Sequence, residues 1–179
     1  MIKVVDDYFP QWMVEQVGNY VSQYPVALNN ASDDESAYRF FGAVLMQDNM
    51  WVQHPWWFVD YFNMCIYNDI LKDRVGEYCQ RVLINGQPPT FEGGIHQDNE
   101  NNIFMSVVYH AHGDSGDTIF YRDGEEFDRI TFKPGRILIF PSNLYHRGAA
   151  PENGYRCSIG YLYPHVPVAE APTIHPFFP

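Results

Sequence analysis

Residues 103–146 read IFMSVVYHAHGDSGDTIFYRDGEEFDRITFKPGRILIFPSNLYH. Short β-rich runs alternate here with residues that preset a turn or tolerate positive φ: Gly113-Asp-Ser-Gly116, Asp123-Gly124, Pro134-Gly135 and Pro141-Ser142. The pattern predicts strands at Ile103–His112, Thr118–Arg122, Phe127–Phe132, Arg136–Phe140 and Leu144–His146. Working outward, Arg81–Ile84 precedes them, and a loop with Pro88, Pro89, Gly93 and Gly94 leads to a strand at Ile95–Asp98. Downstream, Pro151-Glu-Asn-Gly154 turns into Arg156–Tyr163. Eight short strands of this kind suit a jelly roll, in which successive strands tend to alternate between two sheets. The fold class is therefore mainly β with flanking helices: a double-sheet jelly roll over residues 81–163.

The flanks are different. Ile2–Val5 is a candidate strand, and Pro10 opens a helical stretch to about Tyr24 whose apolar residues are Trp12, Val14, Val17 and Val21. Asn29–Ser36 is polar and loop-like, Tyr38–Met46 strand-like, and Phe62–Cys79 has helical spacing at Ile66, Ile70, Leu71 and Val75. Residues 1–80 thus supply N-terminal strands and supporting helices, and 164–179 an extended, proline-rich tail. A length of 179 residues, 46 % apolar and 17 % aromatic, suits one domain spanning 1–179. Against 22 Asp+Glu there are 11 Lys+Arg, and a net charge of -11 argues against tracking a phosphate backbone. Cys65, Cys79 and Cys157 have no CxxC spacing and read as free thiols of a reducing compartment. The opening MIKVVDDYFP is acidic, unlike a signal peptide, and no apolar run approaches a membrane span. A cytoplasmic location is expected. A homodimer in which the tail packs on a neighbour is left open.

Two HxD pairs occur, His96-Gln-Asp98 and His112-Gly-Asp114, where about one HxD or HxE is expected by chance. On a strand, residues i and i+2 share a face. His96 and Asp98 can therefore both point inward, whereas Asp114 falls in a turn. His146, on the fifth strand after Asp98, completes two histidines and a carboxylate. That is the facial triad of non-haem Fe(II) oxygenases, whose open positions accept a bidentate 2-oxo acid and O₂. Alone, either histidine is better read as an ordinary loop or strand-end residue. Arg156 follows at the start of the last strand, with Ser158 on the same face. A guanidinium and a hydroxyl there can hold the distal carboxylate of 2-oxoglutarate, although an edge-strand arginine reaching solvent is the plainer reading of Arg156 by itself.

These residues carry a resemblance. Gly94-Ile-His-Gln-Asp-Asn99, Lys133-Pro-Gly-Arg-Ile-Leu-Ile-Phe-Pro-Ser142, His146 and Arg156-x-Ser158 together resemble the 2-oxoglutarate/Fe(II) oxygenases of the prolyl hydroxylase type. Ser115-Gly-Asp-Thr-Ile-Phe120 is similar to the strand between the halves of that motif, and Val5-Asp-Asp-Tyr-Phe-Pro10 to the family's start. The resemblance implies His96, Asp98 and His146 as metal ligands and catalytic centre. It implies a cupin-like double-stranded β-helix and the use of Fe(II), 2-oxoglutarate and O₂, with 2-oxoglutarate oxidised to succinate and CO₂ while a C–H bond is hydroxylated. Ascorbate or another reductant is expected to sustain activity by returning Fe(III) to Fe(II). Its substrate would be a peptidyl proline or another amino-acid residue, then a free amino acid or small metabolite. Collagen-type members usually have lysine where Arg156 stands, and the oxygen-sensing group has arginine. The family's co-substrate tyrosine is replaced near Asn85, with Tyr109 as a substitute. These departures leave cofactor use in place and weigh against prolyl specificity. Asn85 and Tyr109 join Arg156 and Ser158 as expected co-substrate contacts.

Three rivals are weighed. A cupin metal site would use His110-Ala-His112 with His146, but Ser115 and Gly116 stand where a cupin has its glutamate, and Arg156 would have no role. A non-catalytic binding module could use Trp51, Trp56 and Trp57 beside His54, residues that more simply pack helices on a sheet. A nucleobase demethylase would carry a second arginine soon after Arg156, and 159–163 has none. Substrate contacts are expected from Asn29–Ser36, Gly86–Gly93 and Asp98–Asn102.

Overall fold

The structure, a computed structural model, describes residues 1–24, 27–31, 39–48, 50–52, 57–71 and 79–164. Its elements run β1 (Lys3–Val5), α1 (Gln11–Val21), β2 (Ala27–Ala31), β3 (Arg39–Gln47), β4 (Met50–Trp51), α2 (Trp57–Cys65) and a π-helical turn (Ile66–Leu71). They continue with β5 (Arg81–Gln87), β6 (Phe104–His112), β7 (Thr118–Arg122), β8 (Glu125–Ile130), β9 (Ile137–Pro141), β10 (Tyr145–Gly148) and β11 (Arg156–Pro164). A major antiparallel sheet has the order β1-β9-β6-β11-β5-β3-β2, with β4 beside β3, and a minor sheet the order β10-β7-β8. From β6 onward the chain alternates between sheets except at the β7–β8 hairpin. The arrangement is the expected double-stranded β-helix. Among the described residues no helix is long and apolar enough to cross a membrane.

Strict alternation gives the major sheet two different faces. On β6, Val107, Tyr109 and Ala111 join the core packed beneath the helices, as do Val82 and Ile84 of β5 and Cys157, Ile159, Tyr161 and Tyr163 of β11. The helices meet them with Met13, Val14, Val17 and Val21 of α1 and with Val59 and Phe62 of α2. Phe62 stacks on Tyr161 at 5.4 Å and meets Tyr109 edge-on at 4.6 Å. Burying such a ring stabilises the fold by roughly 1.5–3 kcal/mol. The opposite face of the sheet looks toward the minor sheet, and Phe120, Leu138 and Phe140 form a smaller core there.

Several expectations change. Trp12 is 60 % exposed, so the buried face of α1 runs through Met13 and Gly18 instead. Helix α2 begins before Phe62 and passes into the π-helical turn. Val75 lies outside the described residues, and Cys79 is buried but not helical. The three cysteines are free thiols. Asn29 belongs to β2, while 32–36, His54, Trp56 and the tail from 165 lie outside the described residues. Strand β8 starts at Glu125 because Asp123 (φ 54) and Gly124 (φ 82) form a two-residue turn that pairs Arg122 with Glu125. Its polar, solvent-facing sequence hides that start. Strand β5 continues through Gly86 and Gln87, which are not mouth loop. Ile95–Asp98 is no strand. Only His96 bridges, to His146, because Asn99 and Asn101 bend the chain away by accepting the N–H groups of Asn101 and Ile103.

Candidate active site

The His96–His146 bridge brings the two imidazoles together. His96 N–H donates to the His146 carbonyl at 3.0 Å and His146 N–H returns the bond at 2.9 Å. The next residue but one, Asp98, then points to the same side. The ligand atoms of His96, Asp98 and His146 lie within 4.8 Å of one another, and no other group of this kind occurs among the described residues. Each Nε2 stands 3.7 Å from an Asp98 oxygen, His96 from Oδ1 and His146 from Oδ2. Each Nδ1 lies 2.9 Å from a carbonyl two residues earlier, Gly94 for His96 and Leu144 for His146. A carbonyl can only accept, so the proton belongs on Nδ1 and the Nε2 lone pairs face the centre.

The carboxylate is oriented too. Ser106 donates to Asp98 Oδ2 at 2.6 Å, and Arg81 reaches Oδ1 at 3.3 Å. Burial alone would raise the Asp98 carboxyl, but His146, His96 and Arg81 hold it well below the usual carboxylate range. Burial also pushes the His146 imidazole down to about 4, which keeps it neutral. Burial works against the His96 imidazolium, but the hydrogen bond and charge of Asp98 outweigh it and raise its pKa.

From the triad a cavity of about 80 Å³ runs between the sheets. Its floor is the inward stripe of β5 and β11: Arg81, Leu83, Asn85 and Gln87 beside Arg156, Ser158 and Gly160. The register sets Arg156 opposite Gln87 and Ser158 opposite Asn85. Arg156 is 4 % exposed. It donates from Nη1 to the Gln87 side-chain oxygen and lies 5.5 Å above the Phe132 ring. Its Nε has no partner, nor has Asn85 Oδ1. Burial pushes the guanidinium down to about 10, still charged at neutral pH. Glycines make room for it. A Cβ on Gly148 would stand 2.7 Å from Arg156 Nη1, and one on Gly116 (φ +98) 2.6 Å from its Cδ.

Tyr109 is a correction. It lies on the helix-facing side of β6, against Phe9 and Phe62, and does not line the cavity. A one-residue difference on a strand reverses the face, and Val108 lines the cavity instead. His110 and His112 do not approach the triad as a cupin pair. His110 is buried, with Nε2 3.3 Å from Thr118 Oγ1, while His112 lines a groove beside Gln11 and Glu15 of α1. Asp114 is the turn residue expected, bonded by Ser115 at 2.9 Å. Trp51 is partly buried against the main core. Sequence reading missed Arg81, Gln87, Thr118 and Gly148 in the cavity lining. Stepping by two in each direction from Asn85 would have found Gln87 and Arg81.

No family model matches the sequence, and neither does any curated protein. Solved structures do. An oxidoreductase of the 2OG-Fe(II) oxygenase family from Burkholderia pseudomallei has a TM-score of 0.65 and 16% identity, covering 91% of this chain and 84% of its own. A prolyl hydroxylase from Trichoplax adhaerens, in complex with a hypoxia inducible factor peptide fragment, has a TM-score of 0.66 and 14% identity over 92% and 83%. HygX from Streptomyces hygroscopicus, with nickel and 2-oxoglutarate bound, has a TM-score of 0.64 and 10% identity over 92% and 83%. The chain has the fold of the 2-oxoglutarate/Fe(II) oxygenases. At these identities the likeness speaks for the fold, and the activity rests on the residues of the site itself.

Proposed function

We propose that this protein is a non-haem Fe(II) dioxygenase that couples oxidative decarboxylation of 2-oxoglutarate to hydroxylation of a C–H bond. The observation that carries this reading is Arg156. A buried, charged guanidinium with an orphan Nε and only a neutral amide partner shares one cavity with a His-Asp-His cluster. A charge so placed wants an anion, and the triad wants a divalent metal. A molecule with a 2-oxo acid at one end and a carboxylate at the other satisfies both.

His96, Asp98 and His146 would hold the metal, which supplies open positions for the 2-oxo acid and O₂. Ser106 and the two backbone carbonyls fix the ligand orientations before metal arrives. Arg156 and Ser158 would bind the distal carboxylate, and Asn85, whose amide oxygen has no partner, could turn its NH2 toward the same ligand. Gln87 holds the guanidinium between visits, and its Nε2 is itself tied to the Phe91 and Gly148 carbonyls. Phe132 packs against the guanidinium, and Thr118 lines the same cavity. Ascorbate is expected to sustain turnover by returning oxidised iron to Fe(II).

The test is anaerobic addition of Fe(II) and 2-oxoglutarate. A visible charge-transfer band should appear and bleach on admission of O₂, with succinate released. Protein that gives neither band nor succinate is not this enzyme. A band without succinate, in the presence of substrate pools, would favour a non-catalytic binding module.

A further inference from the structure

The cavity holds a second guanidinium, and it stands at the opposite end. Arg81 faces Leu162 across the ladder while Arg156 faces Gln87, so their α-carbons lie roughly 20 Å apart at about 3.3 Å per residue. The triad sits at the Arg81 end. Arg81 Nη2 touches Asp98 at 3.3 Å to Oδ1 and 3.5 Å to the backbone carbonyl. Among the described residues, Nε and Nη1 of Arg81 have no partner. Its side chain is 27 % exposed, against a nearly sealed Arg156.

Arg81 is one of two donors that orient Asp98, and it spends only Nη2 on that contact. The other carboxylate oxygen already accepts a 2.6 Å bond from Ser106. Charge points the same way. Among the described residues, Asp98 is the only acidic one in the cavity lining. A divalent metal and two guanidiniums set against one carboxylate leave three positive charges. Dianionic 2-oxoglutarate at the Arg156 end removes two of them. One positive charge is left beside the metal, in a chain that is otherwise strongly acidic.

From this we infer that the hydroxylated substrate is a carboxylate-bearing molecule, a free amino acid or another small acid, whose carboxylate pairs with the open edge of Arg81. The inference rests on the proposed function and narrows it. An internal peptide residue with a neutral side chain brings only amides to this position and would leave the charge uncompensated. A free carboxylate can take two parallel N–H bonds from one guanidinium. It is also held at a fixed distance from the metal, which selects the carbon presented for attack.

Binding separates this inference from the reading beneath it. Protein loaded with Mn(II), which supports no turnover, is titrated first with 2-oxoglutarate by calorimetry. Failure of that step removes the proposed function, and this inference with it. With 2-oxoglutarate bound, the common free L-amino acids, simple hydroxy acids, their primary amides, peptides with a free C-terminus and end-blocked peptides are titrated in turn. At least one free acid should bind, and its amide should bind about 30-fold more weakly or worse. Arg81→Gln should abolish most of this preference of acid over amide, whatever it does to Mn(II) through its contact with Asp98, with 2-oxoglutarate affinity kept within about twofold. Arg81→Lys should fall between. Binding of peptides with a free C-terminus but of no free amino acid would keep the carboxylate and change its source. The inference is overturned if acid and amide bind alike, if only end-blocked peptides bind, or if no acid binds. It is equally overturned if Arg81→Gln weakens metal, acid and amide together, which marks a positioning role for Asp98.

Discussion

Arg156 and Gln87 face each other across the β5–β11 ladder, and the arginine donates its Nη1 hydrogen bond to a neutral amide oxygen while Nε is left without an acceptor. A buried cation in that condition destabilises the empty protein. Arg156→Met should therefore leave the apoprotein as stable as the parent or more so, by about 1 kcal/mol or more. The order should reverse in saturating Mn(II) and 2-oxoglutarate, because only the parent gains the ligand's binding energy. Thermal denaturation of both proteins with and without ligand checks this. A large loss of stability in the apo variant would mean that Arg156 is structural.

The same contact sets co-substrate affinity. Arg156→Gln should weaken 2-oxoglutarate by roughly 30-fold or more, the consequence of losing a charge-assisted pair of about 2–5 kcal/mol. Ser158→Ala, which removes one hydrogen bond, should cost about tenfold. Metal affinity without co-substrate should hardly move in either. Titration of the charge-transfer band separates the two quantities.

Gly148 tests the cavity's shape without touching its charges. An alanine Cβ would stand 2.7 Å from Arg156 Nη1 and 2.8 Å from Gln87 Oε1. Gly148→Ala should displace the guanidinium and weaken 2-oxoglutarate by at least tenfold while metal still binds. Unchanged affinity for 2-oxoglutarate would place the distal carboxylate elsewhere.

At the triad, His96→Ala, Asp98→Ala and His146→Ala should each abolish succinate release with the fold retained. His112→Ala and Asp114→Ala, in the groove and the turn, should remain active. Circular dichroism and turnover measured on the same preparations decide the matter. Essential His112 with dispensable His96 would overturn the site.

His110 gives a pH dependence of stability. It is buried, and burial, then the charges of Arg156 and Arg136, push its pKa well below the ordinary value, with Asp6 opposing. The Lys133 N–H points at Nδ1 and Thr118 lies beside Nε2, a neutral ring's arrangement. Below about pH 6.5 the unfolded chain takes up a proton that native His110 refuses, so stability falls as pH falls, by up to ~1.4 kcal/mol per pH unit. That loss continues down to the native pKa and is absent above about pH 6.5. Denaturant titrations between pH 7 and 5 should show this slope in the parent and a smaller one in His110→Gln. Equal slopes would assign the dependence to other groups.

The chain's own order of residues determined a good deal. Thr118–Arg122 is a strand to the residue because β-rich side chains end at an Asp-Gly turn, a purely local signal. The triad was legible because a bridge between two extended segments preserves the i, i+2 rule at His96 and Asp98 even though no strand forms there. Tyr109 was misplaced because hydrophobic character does not say which face of a doubly buried strand looks at helices and which at the second sheet. On β6 both faces are buried, and only the packing of Phe9 and Phe62 on one side settles it. Arg81 and Gln87 share a strand face with Asn85 by their spacing, but what each does there came from tertiary structure. Each is an ordinary polar residue along the sequence. It is the register of β5 against β11, together with the minor sheet closing above, that sets one beside the His-Asp-His cluster and the other beneath the buried guanidinium.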